Sequence, residues 1–405
     1  MSQYWGMNGW TGHHPILSTW LQGTLTCLGS MIWDMNLGVF LFVLIQTILA
    51  VVLFTKMIHI YALEKMSKWA QIFVFLFFAL TPVWPSFIQT MGKDIPFMLI
   101  VAGFTMWLYH NQDVEVEWHL KSWKSVRFIF LCMGVVYLRN NGWHLVVFTL
   151  IAMVIVMKEK RKTIFTITVV VIVLTTLINN GLFSILQIEK GSIRETLSIP
   201  FQQTARYVRE YGDEIPEEER QAIDAVLDYD SIGENYLPFL SDPVKGTYRE
   251  GTKEELAAYF KVWVKQLLRH PMVYVDATLS GTYTYLSPGS KWLWGYNYFT
   301  VEDNDFGIHH VGNEEPIEQI AMIDRELSVT PVIHYLYAPG TYVWLLMFFC
   351  VYNFYKCQGR RNLMMVPSFV LVLTCIASPC LGCVRYILPL MASMPMIGLT
   401  CFKSE

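Results

Sequence analysis

The stretch Lys158-Glu159-Lys160-Arg161-Lys162 lies between two long apolar runs and decides how the chain is interpreted. Four of its five residues are cationic, and short loops of this kind remain on the cytoplasmic side of a membrane. This stretch therefore fixes one point of the topology. Counting apolar runs outward from it assigns every other loop to one side of the membrane.

The overall composition is that of a membrane protein. Of the 405 residues, 54% are hydrophobic and 16% are charged, and the mean hydropathy is +0.37. These values predict an all-α polytopic membrane protein rather than a soluble globular chain. Residues 183–338 hold about twice as many acidic as basic residues. We therefore expect a mostly helical acidic domain inserted into a helical bundle, and no nucleic-acid partner.

Nine apolar runs divide the chain into four regions. They lie at about 37–60, 69–89, 95–110, 125–138, 142–157, 163–182, 341–355, 363–379 and 385–402. The predicted regions are an outer N-terminal segment with an interfacial helix (1–36), a transmembrane bundle (37–182), the acidic domain (183–338) and C-terminal transmembrane helices (339–405). The fourth and fifth runs are short for a hydrocarbon core of about 30 Å, so they are expected to form a hairpin that need not span it.

The basic loops agree with one orientation. With Lys158 to Lys162 in the cytoplasm, the loops 61–68, 111–124 and 356–362 also face inward, and each of them is basic. This predicts a multi-pass protein of the cell membrane with an extracytoplasmic acidic domain and a cytoplasmic C-terminus.

Three cations interrupt the short outward loops, which normally avoid Lys and Arg. They are Lys93, Arg139 and Arg385. A shared site for an anionic group, such as the phosphate of a lipid-linked substrate, explains them, because Arg binds phosphate through two hydrogen bonds and Lys acts as a point charge. Contact with lipid headgroups is the alternative.

Asp94 is the one acid in these short outward turns. It is a candidate general base or ligand of a divalent metal ion, while capping of the following helix is the alternative. His13 and His14 precede the interfacial helix, and one of them is a candidate for phosphate contact or acid–base work. Gln202 and Gln203 are candidate sugar or pyrophosphate contacts, although a packed polar helix face is at least as good an explanation.

Local signals predict several further features. Ile215-Pro216 predicts a helix over 217–227, the capping box of Thr252 and Glu255 predicts a helix to about Arg269, and Pro271 opens another. Residues 283–300 are rich in Tyr and Trp. Cys380-Leu381-Gly382-Cys383 has redox or metal spacing but no second pair elsewhere, so it is a poor functional signal.

Four short motifs occur in order along the chain. They are His13-His14-Pro15, Lys93-Asp94, Arg139-Asn140-Asn141-Gly142 and Arg385-Tyr386-Ile387-Leu388-Pro389. Together they resemble bacterial membrane glycosyltransferases of the GT-C superfamily, over most of the chain. A group with a Glu-x-x-x-Ile-Pro-x-Gln-Gln stretch, here Glu195 to Gln203, is the most similar.

The resemblance implies a GT-C-like helical bundle that transfers a sugar from a polyprenyl-phosphate donor to a cell-envelope acceptor on the outer face. Asp94 and His14 would be catalytic. The remaining candidates would bind substrate or phosphate: His13, Lys93, Arg139, Asn140, Asn141, Gln202, Gln203, Arg385 and Tyr386.

The chain departs from the GT-C pattern at its start. Such enzymes have a transmembrane helix followed by an acid in the first outer loop, and here no acid precedes Asp34. We therefore expect a longer protein, with one more apolar run and an acid upstream of Met1. Two other functions stay open: a transporter or flippase of a polar or lipid-linked solute, and a non-catalytic assembly partner.

The orientation gives the first testable prediction. In intact cells, an impermeant thiol reagent should label Asp230→Cys beyond the native cysteines and should leave Arg161→Cys at the level of the unsubstituted protein. The reverse labelling pattern would place every candidate residue on the cytoplasmic side and would contradict the functional interpretation.

Overall fold

The regular secondary structure of the described residues is helical. A computed structural model describes residues 3–5, 9–10, 12, 14–111, 118–188, 191–291, 301, 303–313, 315–378 and 380–402. Within these ranges β pairing is limited to isolated bridges. The predicted all-α class is therefore confirmed for this part of the chain.

The helices before the acidic domain follow the predicted apolar runs. They are α1 (Ile16–Ile32), α2 (Met35–Leu63), α3 (Lys68–Leu80), α4 (Val83–Ile88), α5 (Asp94–Asn111), α6 (Trp123–Leu138), α7 (Gly142–Val156) and α8 (Arg161–Ile185). The run predicted at 69–89 is two helices. Thr81 adopts an extended conformation, because a residue before proline is pushed out of the helical region, and Pro82 follows it.

The acidic domain is also helical, as predicted. Its helices are α9 (Ser198–Tyr211), α10 (Glu217–Asp224), α11 (Tyr229–Asn235), α12 (Asp242–Lys245), α13 (Lys253–Arg269), α14 (Pro271–Leu286) and α15 (Glu315–Val329). The capping box of Thr252 and Glu255 is present at the start of α13, and Pro271 opens α14. Residues 292–300 of the aromatic stretch lie outside the described residues.

One helix boundary in this domain differs from the prediction. The helix predicted over 217–227 ends at Asp224. The chain turns there because Leu227 pairs with Tyr248 in an antiparallel bridge, and the N–H of Arg249 donates to the carbonyl of Val226 at 2.9 Å. Long-range pairing therefore ends a helix that the local sequence would extend.

Three helices complete the bundle: α16 (Pro339–Tyr355), α17 (Val366–Ala377) and α18 (Val384–Leu399). The last of them packs along α5. At their contact the buried Ser393 hydroxyl donates to the hydroxyl of Thr105 at 3.4 Å. Because both helices begin at the same end of the bundle, the residues at their N-termini are brought together.

Three helices among the described residues are long and apolar enough to cross a membrane. They are Met35–Leu63, Lys158–Ile185 and Gly359–Ala377. Large apolar side chains also cover the outer surface of shorter helices, for example Phe73 on α3 and Phe348 on α16, which are 70% and 60% exposed. An apolar outer surface of this kind suits contact with lipid.

Two helical hairpins pack backbone against backbone through glycine. Gly29 of α1 touches the backbone of Gly38 in α2, and Gly142 at the start of α7 touches the carbonyl of Val135 in α6. A side chain at any of these glycines would collide with main chain. The second hairpin places Arg139 in the turn between its helices.

The acidic domain contains a buried carboxylate, Glu219, which is 3% exposed. Its Oε1 accepts from Lys265 at 2.7 Å and from Arg269 at 2.9 Å. Burial alone would raise the pKa of this carboxyl, but the hydrogen bonds from Arg269, Lys265 and Gln266 together lower it. The ionised form of Glu219 therefore ties α10 to α13.

We predict that Glu219→Gln lowers the free energy of unfolding by about 1–3 kcal/mol, because two cations lose their shared carboxylate. The contribution of Glu219 is fully present above its unfolded pKa of about 4.3 and is lost as the pH falls through the lower folded pKa. Thermal unfolding of both proteins between pH 3 and 7 measures it. Glu218→Gln, on the exposed face of the same helix, is the control; an equal effect of the two changes would contradict the assignment.

Candidate active site at the turns before α5 and α18

An ion pair joins two of the short turns. The carboxylate of Asp94, the first residue of α5, lies 2.9 Å from Nη1 of Arg139, which follows the last residue of α6. Their side chains are 16% and 10% exposed. The contact lacks hydrogen-bond geometry, and neither atom has another hydrogen-bond partner in the described part of the chain. A ligand could therefore form hydrogen bonds with these two atoms.

Aromatic rings hold the Arg139 guanidinium in place. Its central carbon lies 4.5 Å from the ring centroid of Tyr386 and 5.6 Å from that of Phe97. The ring of Tyr386 also faces the Arg385 guanidinium at 5.1 Å, and Arg385 donates to the Tyr386 hydroxyl at 3.4 Å. Cation–π contacts of this kind position a guanidinium without neutralising its charge.

The charges of Arg139, Asp94 and Arg385 also act on the pKa of Lys93. Burial lowers the pKa of Lys93, and repulsion from Arg139 and Arg385 lowers it further, against an opposing effect of Asp94. The three turns that the sequence singled out thus meet at one place. With three cations against one carboxylate, and with the N-termini of α5 and α18 directed at it, the site is suited to an anion.

Gln46 supports this site and was missed by sequence reasoning. It lies in the middle of α2, is 3% exposed, and donates through Nε2 to the carbonyls of Ile88 and Thr90 at 2.5 and 2.8 Å. These bonds fix the turn that leads into Lys93. The sequence did offer a signal for it, because Gln46 is an amide within an apolar run and a polar group in a transmembrane helix requires a partner.

The acidic domain holds the turn that leads into Arg385. The hydroxyl of Tyr285 donates to the carbonyl of Cys380 at 3.0 Å, and the N–H of Gly382 donates to the hydroxyl of Thr284 at 2.7 Å. The N–H of Leu381 donates to the carbonyl of Phe239 at 3.1 Å. The acidic domain and the bundle therefore build the site together.

The structure places Gln202 and Gln203 inside the acidic domain. The Gln202 amide donates to the carbonyls of Leu237 and Leu240 at 3.0 and 2.8 Å, and Leu240 pairs with Cys380. The Gln203 amide donates to Thr278 and accepts from Trp263. Gln202 thus supports the turn before Arg385 indirectly, and direct ligand contact by either glutamine stays a prediction.

Two of the remaining candidates, Asn140 and Asn141, lie in the hairpin turn between α6 and α7. Asn140 donates to the carbonyl of Gly12 at 3.1 Å, which ties the turn to the N-terminal segment. Asn141 is half-buried at the N-cap of α7. His14 is exposed just before α1, and His13 lies outside the described residues. Their predicted roles stay predictions.

A carboxylate that the sequence did not single out is Asp324 in α15, which is 4% exposed. It accepts from the hydroxyl of Tyr337 at 2.9 Å and from that of Ser86 at 3.3 Å. It fastens α15 to α4 of the bundle. Its position within an acid-rich stretch gave no signal that it would be buried.

The described residues contain no group of three or more His, Cys, Asp or Glu side chains that could hold a metal ion. At the site, Asp94 would supply the one carboxylate ligand. A divalent ion there would therefore depend on oxygens of a bound phosphate, as Mg²⁺ sites often do.

An apolar cavity of about 430 Å³ lies between α1, α2 and α5. Pro96 and Leu138 line it, two residues after Asp94 and one before Arg139, and Gln46 lines it as well. A second apolar cavity of about 750 Å³ lies between α1, α6 and α8. The first cavity is therefore lined by residues close in sequence to the ion pair, while the side chains of Asp94 and Arg139 are not part of its lining.

Comparison with known families identifies one relationship. Residues 8–405 match the model of a family described as a family of unknown function (DUF6020). No curated protein and no solved structure matches the chain.

The Lys93 environment yields a prediction. Lys93→Met should raise the melting temperature, by about 1–3 °C, because it removes a half-buried cation that Arg139 and Arg385 repel. A lysine whose pKa is lowered on folding destabilises the folded protein at every pH below that pKa, so the gain should be present at pH 7. Lys253→Met, at an exposed position, should leave the melting temperature unchanged. A lower melting temperature of Lys93→Met would contradict this prediction, because it would show that the attraction of Lys93 to Asp94 outweighs its burial and its repulsion by the two arginines.

Proposed function

The chain belongs to this family of unknown function, and we propose from the chemistry of its site that it is a membrane glycosyltransferase of the GT-C type. The proposed reaction moves a sugar from a polyprenyl-phosphate donor to a cell-envelope acceptor at the outer membrane surface. The observation that carries the proposal is the half-buried cluster of Lys93, Asp94, Arg139 and Arg385.

The arrangement of the bundle supports the proposed orientation. Arg360 forms an ion pair with Glu159 at 3.2 Å, so the basic turns around these residues lie at one end. Helix α7 runs from the hairpin turn at Arg139 to the basic stretch, which puts the cluster at the opposite end. With the basic end in the cytoplasm, the cluster faces outward.

The two parts of a lipid-linked substrate match the two parts of the site. A phosphate would take the bidentate donors of Arg139 and Arg385 and the point charge of Lys93. The hydrocarbon chain would lie in the apolar cavity that Pro96 and Leu138 line, where apolar walls remove it from water. A free sugar phosphate would leave this cavity unused.

We propose the following mechanism. The acceptor oxygen forms a bond to the anomeric carbon while the bond from that carbon to the phosphate oxygen breaks, with inversion. The electron pair remains on the phosphate, where Lys93, Arg139 and Arg385 stabilise the developing charge. The acceptor proton passes to Asp94, which is released from Arg139 when the phosphate takes that guanidinium. His14 is a second candidate for the proton transfer.

The test is an assay of the purified full-length protein with polyprenyl-phosphate sugars and envelope acceptors. Asp94→Asn should lower the turnover rate by about 10² to 10⁴, because the proton acceptor is lost. Arg385→Lys should lower it by about 10-fold to 10²-fold, because a point charge replaces a two-bond donor.

Arg127→Lys is the matched control for the arginine change. Arg127 also faces an aromatic ring, that of Trp123 at 5.6 Å, but it lies near the other end of α6. Its replacement should leave turnover within about 2-fold of the unsubstituted protein. Equal losses at both arginines, or full activity of Asp94→Asn, would contradict the mechanism. Transport of the lipid-linked sugar without transfer would favour the flippase instead.

A further inference from the structure

The turn from Cys380 to Cys383 has a shape that brings its two ends together. Its middle residues form a tight turn, and Gly382 has a φ of +67°, the left-handed conformation that a type II turn requires at its third position. The ends of such a turn have Cα atoms less than about 7 Å apart. That separation matches the range of about 4.4–6.8 Å in which two cysteines can be bridged.

The two cysteines affect each other's pKa within this turn, and Arg385 affects the pKa of Cys383 as well. Both cysteines are buried. The hydrogen bond from Cys380 and the nearby Arg385 guanidinium lower the pKa of Cys383 against the effect of its burial. The thiolate, which is the reactive form, is therefore favoured at Cys383.

We propose that Cys380 and Cys383 form a reversible disulfide across this turn, which ends two residues before Arg385 of the candidate site. The formation of the disulfide does not depend on the proposed function.

The oxidant is a disulfide of a small thiol or of a thiol–disulfide exchange protein. When local opening of the turn exposes Cys383, its thiolate attacks one sulfur of that disulfide and expels the other as a thiolate. Cys380 loses its proton to water and attacks Cys383 Sγ in the mixed disulfide, which releases the second thiol. Two cysteine thiols lose two electrons and two protons in total, and the oxidant becomes two thiols.

A third cysteine, Cys375, allows the proposed disulfide to be distinguished from an alternative pairing. Cys375 of α17 is buried nearby, and its electrostatic interactions include both Arg139 and Cys383. It lies within a regular helix rather than in the turn. The proposed pairing therefore leaves Cys375 reduced, while an alternative bridge between Cys375 and Cys383 would consume it.

The experiment treats the purified full-length protein with glutathione disulfide until alkylation no longer changes, and then alkylates and digests it without reduction. The peptide 362–385 contains three cysteines and should accept one alkyl group after oxidation and three after reduction. Cys375→Ser should retain the internal disulfide, whereas Cys380→Ser and Cys383→Ser should lack it. Three alkyl groups after oxidation, a glutathione adduct alone, or a link to Cys375 would overturn the proposal.

Discussion

The ion pair between Asp94 and Arg139 is the constraint on which the candidate site depends. Charges at the end of an apolar bundle are costly unless they are paired and held in place. Here the carboxylate begins one helix, the guanidinium follows another, and the rings of Phe97 and Tyr386 cover the cation. Because the pair is incompletely hydrogen-bonded, an anion can enter it at less cost than it could enter a saturated salt bridge.

The site is supported from two directions. Within the bundle, the Gln46 amide fixes the turn before Lys93. From the acidic domain, Thr284 and Tyr285 hold the turn before Arg385. Hydrogen bonds therefore hold the main chain of the turns that lead into Lys93 and Arg385. A change in the acidic domain can reach the site through the turn before Arg385.

The sequence predicted the helices well because their signals are local. Apolar runs, the capping box at Thr252 and the proline at 271 each act within one or two turns of chain. It also singled out Lys93, Arg139 and Arg385, since cations are conspicuous in short loops predicted to face outward. It could not show that these residues meet, because their contact depends on the packing of α5, α6 and α18.

Polar side chains within the fold were the hardest to interpret. Nothing near Asp324 in the sequence distinguishes a buried acid from the solvated acids around it, since its partners are distant in the chain. Gln202 was noticed, but its main-chain partners could not be foreseen for the same reason. The conformation of the turn at 380–383 could not be foreseen from its cysteine spacing, which does not reveal the positive φ of Gly382.

The most direct measurement of the central claim compares the affinities of the purified protein for polyprenyl phosphate and for the polyprenol of the same chain length. The account predicts that the phosphate binds at least about 10-fold more tightly, equivalent to about 1.4 kcal/mol. It also predicts that Arg139→Gln removes this advantage and that Arg127→Gln preserves it. Equal binding of the two lipids by the unsubstituted protein would contradict the claim that this cluster binds a lipid-linked phosphate.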